Sequence, residues 1–206
     1  MLDPVTDDRN GLSAALAPHG LPDLLLIERA RGADARAVET LMRRYAQRLF
    51  RVARSLLPDE EAAVAVVQET YLRAFEDLRH HEPAGKFAAW LTRLALEQVQ
   101  ARRAAAHPAL RAAPLYRHPL EPAIDALPEV FRTVFVLRVV EGISGTETAA
   151  ALALNVTTVR TRLFRAHRRL SGGTELQAAR SVFELDGVRG ERIVSEVLAR
   201  LRARSA

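Results

Sequence analysis

Cysteine is absent from the 206 residues, so disulfides and thiolate metal sites are excluded and nothing marks the chain as secreted. Aromatic residues make up only 5%, with Trp90 the single tryptophan. That scarcity, beside abundant alanine, leucine, valine and arginine, predicts an all-α fold rather than sheets. No apolar run reaches membrane-spanning length, and the N-terminal stretch, with Asp3, Asp7 and Asp8 and no basic start, is unlike a signal peptide. The expectation is a soluble cytoplasmic protein without membrane insertion. A phosphate-cradling glycine loop, an H-E-x-x-H run and a nucleophile elbow are all missing. An enzyme is therefore the least supported class, with no catalytic residue and no cofactor assigned. Without a His-x-x-x-His spacing, metal binding is not expected either.

What the chain has is positive charge. The net charge is +5, and the arginine excess lies in the C-terminal half and around Arg102 and Arg103, a balance suited to a polyanionic partner. The stretch from Leu127 to Leu170 gives that charge a frame. Pro128 suits a first helical position, and Val130, Val134, Leu137 and Val140 follow at spacings of three and four. After Gly142, Ser144 and Glu147 have capping-box spacing ahead of a short helix that reaches Leu152. Ala153, Leu154 and Asn155 make a turn, with Asn155 as N-cap of a third helix whose inward stripe is Val156, Val159, Leu163 and Ala166. The opposite face holds Thr157, Thr158, Arg160, Thr161, Arg162, Arg165 and Arg168. Hydroxyls and guanidinium groups at the start of a capped helix reach phosphates and base edges, so the stretch reads as a DNA-binding helix-turn-helix. The plainer reading is a solvated basic face on a helical bundle.

Taken in order, residues 1–20, with Pro4, Gly11, Pro18 and Gly20, read as a mobile leader. Four helices are predicted over 21–105. The second carries Val38, Leu41, Tyr45, Leu49, Val52 and Leu56 on one stripe, with Arg43, Arg44, Arg48, Arg51 and Arg54 mostly off it. Pro58 stops that helix, Asp59 recaps, and the third shows Val67, Tyr71, Ala74 and Leu78 on one side. The fourth follows the loop of His80 and His81, with Phe87, Trp90 or Leu91, Leu94 and Gln98 as its line. Residues 106–126, with Pro108, Pro114, Pro119 and Pro122, are expected to be an extended linker, and 127–170 form the helix-turn-helix domain. A C-terminal extension, 171–206, ends in an amphipathic helix through Ile193, Val197 and Leu201.

Five motifs in this order resemble the extracytoplasmic-function group of bacterial sigma-70-type transcription initiation factors. Val67-Gln68-Glu69-Thr70-Tyr71-Leu72-Arg73-Ala74-Phe75 is similar to the V-Q-E-x-F-L-x-A-W run of region two, and Phe87-Ala88-Ala89-Trp90-Leu91-Thr92-Arg93-Leu94-Ala95 to its F-x-x-W-L-x-x-I-A run. Leu127-Pro128, Glu141-Gly142-Ile143-Ser144 and Thr158-Val159-Arg160-Thr161-Arg162-Leu163 are similar to the L-P, E-G-x-S and T-V-K-S-R-L signposts of region four. The resemblance covers about residues 22 to 170. It departs at Val64 and Ala65, where the family has an acidic pair, and at Glu97, where it has asparagine. Glu97 would repel phosphate unless an arginine neutralises it. Phe183 to Arg189 also resembles the F-x-x-D-G-x-R-C tail of some members, with Gly190 at the cysteine position, which removes a redox or metal role.

The resemblance implies a factor that binds core RNA polymerase and directs promoter recognition and strand opening. Thr157, Thr158, Arg160, Thr161, Arg162 and Arg165 would then meet the minus-thirty-five element. His80, His81, Lys86, Trp90, Arg93, Arg102 and Arg103 would serve the minus-ten element, although the spacing of Trp90 favours a core position. Gln68, Glu69, Arg73 and Glu76 form a polar face for polymerase, with plain solvation as the other reading. An anti-sigma protein is a further expected partner. Two other functions fit the same features: a non-initiating mimic that sequesters an anti-sigma protein, and a stand-alone helix-turn-helix regulator. For the C-terminal helix, packing back on the chain is favoured over binding a regulator.

Overall fold

The structure, a computed structural model, describes residues 20–78, 86–105, 115–170 and 178–205. Residues 1–19 of the expected leader, the loop with His80 and His81, and Pro108 and Pro114 lie outside the described residues. Four helices form the first unit: α1 (Asp23–Arg31), α2 (Ala35–Leu56), α3 (Glu60–Leu78) and α4 (Phe87–Ala105). The second unit comprises α5 (Glu121–Asp125), α6 (Glu129–Phe135), which continues as a π-helical turn over Val136–Val140, α7 (Gly145–Leu152) and α8 (Val156–Leu170). A 3-10 turn, Ala178–Ser181, leads to α9 (Gly187–Ser205). No strand occurs among the described residues.

The long helix α2 organises the first unit. The Asp34 carboxylate caps it by accepting from the backbone N–H groups of Arg36 (2.9 Å) and Ala37 (3.3 Å). Its whole predicted stripe, from Val38 to Leu56, is buried, all but Val52 in the core that α2 shares with α1, α3 and α4. Full burial of an aliphatic chain contributes about 1.5–3 kcal/mol, so this stripe outweighs any surface ion pair on the helix. Asp59 caps α3 in the same way, accepting from Glu61 (3.1 Å) and Ala62 (3.3 Å). Tyr71 is fully buried at the centre, and its hydroxyl donates to the Met42 carbonyl at 2.8 Å, so no donor is stranded.

Three expectations change here. Arg54 does not lie in solvent off the stripe; it is 1% exposed, with its guanidinium 3.2 Å from Asp125 and 4.7 Å above the Phe183 ring. The segment read as extended linker contains α5, because Pro122 falls in the first turn, where a missing N–H is harmless, and Ile124 and Leu127 enter the second core. Val130 is 46% exposed although it was assigned to an apolar face. Val134, Leu137 and Val140 of that face are buried as expected, and Phe135 and Val136 are buried beside them where the π-helical turn begins.

The two units are packed together. Val52 of α2 meets Leu137 and Ile143, with half-buried Leu96 and Leu152 around them. Polar ties surround this contact: Arg48 to Glu147 at 3.1 Å, Arg51 to Glu141 at 2.6 Å, and Arg132 donating to the Ser55 carbonyl at 2.8 Å.

The C-terminal extension joins both cores. Ala179, Val182 and Phe183 pack with the second unit, whereas Ile193, Val194 and Val197 of α9 pack with the first. Gln47 of α2 grips the segment between them, donating to the Phe183 carbonyl (3.0 Å) and accepting from the Leu185 N–H (2.9 Å). The buried Glu121 carboxylate accepts from the Phe183 N–H at 3.1 Å. These bonds hold Phe183 in a left-handed conformation, φ 53°, that a bulky residue rarely adopts.

Asp186 starts α9 by accepting from the Arg189 N–H at 2.8 Å. That bond, with the nearby Arg189 and Arg117 charges, holds the carboxyl below its ordinary value. A lowered folded pKa gives stability that is complete above about pH 4 and is lost as pH falls through the lowered value. The protection factors of the α9 amides, referred to unfolded-chain exchange at each pH, are accordingly expected to fall on acidification below about pH 4, and an Asp186→Asn variant to lose that dependence.

Candidate nucleic-acid interface

The second unit presents α8 outward. Ser144 accepts from the Glu147 N–H at 3.1 Å to start α7, and Asn155 accepts from the Thr158 N–H at 2.6 Å to start α8. The capping box is only half formed, because the Glu147 side chain turns away to Arg48 and is not the reciprocal partner. Between the two helices Val134, Ala149 and Val159 make a small core. Ala153 ends α7 at φ 52°, ψ 43°. A left-handed alanine costs about 1–2 kcal/mol, and the extra unfolded-state freedom of glycine costs about 0.4–1. Ala153→Gly is therefore expected to stabilise the protein by about 0.5–1 kcal/mol in urea denaturation, with the turn unchanged.

The outward face of α8 matches the predicted pattern in most positions. Thr157, Arg160, Thr161, Arg165 and Arg168 are exposed, and Thr158 and Arg162 are half-buried. None of Arg160, Arg162, Arg165 and Arg168 has an ion-pair partner among the described residues. Thr157 and Thr158 sit in the first turn, where free N–H groups and the helix dipole favour an anion. The inward stripe is shorter than expected: Val159 and Ala166 are buried, Leu163 is half-buried, and Val156 is 39% exposed at the helix start. Sequence reasoning passed over Phe164, which is 61% exposed. It lies four residues after Arg160 and seven after Thr157, so helical phase alone puts it on the arginine face.

The surface expected to serve the minus-ten element is divided. Arg93 and Arg102 are exposed without an ion-pair partner among the described residues. Lys86 lies 4.0 Å from Glu147, and Arg103 pairs with Glu129 at 2.6 Å, so both face the second unit. Trp90 is half-buried, its ring 5.6 Å from that of Phe87, and packs on the first core. Glu97 has its neutralising arginine, Arg73, at 3.3 Å. Val64, at the departure from the acidic pair, is buried, and Ala65 is half-buried.

The polar face of α3 meets α9. Gln68 donates to Glu196 at 2.7 Å, Glu69 pairs with Arg200 at 2.8 Å, and Glu76 with Arg204 at 3.3 Å. Arg73 is exposed and, among the described residues, pairs with Glu97 and Asp77, across and along the first unit.

Known proteins share this layout. Residues 41–106 match the family described as Sigma-70 region 2, and residues 117–170 match Sigma-70, region 4, a match that takes in α5. The ECF RNA polymerase sigma factor SigE of Mycolicibacterium smegmatis is 31% identical over 153 residues, 64% of this chain and 59% of that protein, so the chain spans about three fifths of that relative. The RNA polymerase sigma-H factor of Pseudomonas aeruginosa is 27% identical over 172 residues, 70% of this chain and 89% of that one. Among solved structures, CnrH in complex with the cytosolic domain of CnrY superposes with a TM-score of 0.59 at 30% identity, over 72% of this chain and 94% of that chain. With regions 2 and 4 in sequence, a helix-turn-helix in the second, and relatives of this kind along most of its length, the chain belongs to the extracytoplasmic-function sigma factors of the sigma-70 family.

Proposed function

We propose that the chain binds core RNA polymerase in the cytoplasm and directs it to promoters, acting as a specificity factor and not as an enzyme. The carrying observation is the outward row of unpaired guanidinium groups on α8, held by a capped helix on a rigid core. Thr157, Thr158, Arg160, Thr161, Arg162 and Arg165 read the minus-thirty-five element in the major groove. Arg93 and Arg102 line the path of the minus-ten element along α4, with Arg73 screening the Glu97 carboxylate from phosphate. Trp90, half-buried on the core, supports that surface from beneath more than it stacks on a base. Gln68, Glu69 and Glu76 dock on polymerase, and Arg73 borders them.

A protein regulator belongs to the same reading, since CnrH is found with the cytosolic domain of CnrY. Runoff transcription with purified core polymerase and a promoter mapped after overexpression tests the proposal. Start sites that appear only when the chain is added support it. Binding to duplex DNA with no association to core polymerase would leave a stand-alone regulator, and capture of a regulator without any transcription would leave a sequestering mimic.

A further inference from the structure

The α3 face assigned above to polymerase is not open in this structure. Helix α9 lies along it, and the match is one of charge as well as shape. Carboxylates project from α3 at Glu60, Glu61, Glu69 and Glu76, and guanidinium groups from α9 answer them in order. Arg189 meets Glu60 at 2.7 Å, Arg192 meets Glu61 at 2.6 Å, Arg200 meets Glu69 and Arg204 meets Glu76. Gln68 is engaged by Glu196 within the same row. Beneath it, Ile193, Val194 and Val197 enter the first core, and Leu198 and Leu201 pack partly against it.

The cover is graded along its length. At the N-terminal end it is tied by Asp186, by Gln47 and by the half-buried pair of Arg189 with Glu60. At the C-terminal end the pairs are exposed, and a cavity of about 170 Å³ remains between Leu198, Leu201 and Arg202 of α9 and Ala30, Val38 and Phe75. Exposed ion pairs are individually weak and screened by salt. The half of α9 that lies over Glu69 and Glu76 is thus held less firmly than the half that anchors it.

We propose that α9 is a built-in competitor for the polymerase-docking face of α3, so that the chain must release α9 before core polymerase can engage Gln68, Glu69 and Glu76. This rests on the assignment of that face to polymerase. A regulator or ligand that binds α9 turns the factor on, and the polymerase affinity of the free chain is reduced by the fraction held closed.

Two full-length variants test this by equilibrium binding to purified core polymerase. In the first, Arg192→Glu, Arg200→Glu and Arg204→Glu together place like charges opposite Glu61, Glu69 and Glu76 without altering α3; binding is expected to tighten at least tenfold. In the second, Ala35→Cys and Arg202→Cys, exposed residues that both line the cavity under the C-terminal half of α9, supply the only thiols of the chain and are joined by a short cleavable bis-maleimide linker. Binding is expected to fall at least tenfold when linked and to return on cleavage, which separates locking from misfolding. Linked protein that binds polymerase as well as the cleaved form overturns the proposal. Adding Gln68→Ala and Glu69→Ala to the first variant tells the two readings apart. If these weaken binding while the linker has no effect, only the competitor role of α9 fails. If they change nothing, α3 is not the polymerase face and both readings fail.

Discussion

Arg54→Ala is expected to destabilise the protein by about 3–5 kcal/mol, the cost of breaking a buried ion pair from one side. Arg54 is the largest fully buried side chain, and its guanidinium lies 3.2 Å from the Asp125 carboxylate and 4.7 Å above the Phe183 ring. Truncation leaves Asp125, itself nearly buried, with Arg132 at 3.6 Å and the Tyr116 hydroxyl, and opens a void against Phe183. One Arg54 Nη atom and one Asp125 oxygen already lack hydrogen-bond partners, so the pair is not well compensated by its surroundings. The double replacement Arg54→Met with Asp125→Leu should therefore recover most of the loss, since two apolar chains of similar size replace the poorly compensated pair and Arg132, although it loses Asp125, keeps its bonds to the Leu127 and Ser55 carbonyls. Urea denaturation of the two variants checks both statements. A single alanine variant within about 1 kcal/mol of the parent would mean that water enters and solvates Asp125.

Combined replacement of Arg160, Arg162 and Arg165 by alanine is expected to weaken promoter binding by about 3 kcal/mol or more, taking about 1–3 kcal/mol for each guanidinium that reaches a base. Stability should stay within about 0.5 kcal/mol, because Arg160 and Arg165 are exposed and none of the three has an ion-pair partner among the described residues. Core polymerase binding should be unaffected, since these residues lie on α8 and not on α3. The single variants sort the contacts. A change of preference at one base pair on Arg160→Ala marks a base contact, whereas a uniform loss with a salt slope lower by about 0.9 marks a phosphate contact. Unchanged binding by the triple variant would remove α8 from the DNA interface.

The elements that were legible in the sequence are those with long, regular periods or strong caps. Helix α2 has six stripe positions over five turns and Asp34 ahead of it, so phase and start are both determined locally. Asn155 and Ser144 marked the starts of α8 and α7 for the same reason, their side chains accepting from the N–H three residues on. Arg54 was hidden because its burial depends on Asp125 and Phe183, which are 71 and 129 positions away along the chain. The exposure of Val130 is not readable from helical phase, because Val134, one turn on in the same helix, is fully buried. For Glu97 the requirement could be stated from charge alone, and Arg73, one helix away, meets it. That the α3 face is covered was not legible, because its carboxylates are ordinary surface residues; only the fold brings the arginines of α9 across from them.

The segment between Ala179 and Val197 feeds side chains into both hydrophobic interiors, and Glu121 and Gln47 hold its backbone from either side. Neither interior can melt without stripping apolar surface from the other. The two regions are therefore expected to unfold in one calorimetric transition, the sequence boundary between them not being a boundary of cooperativity.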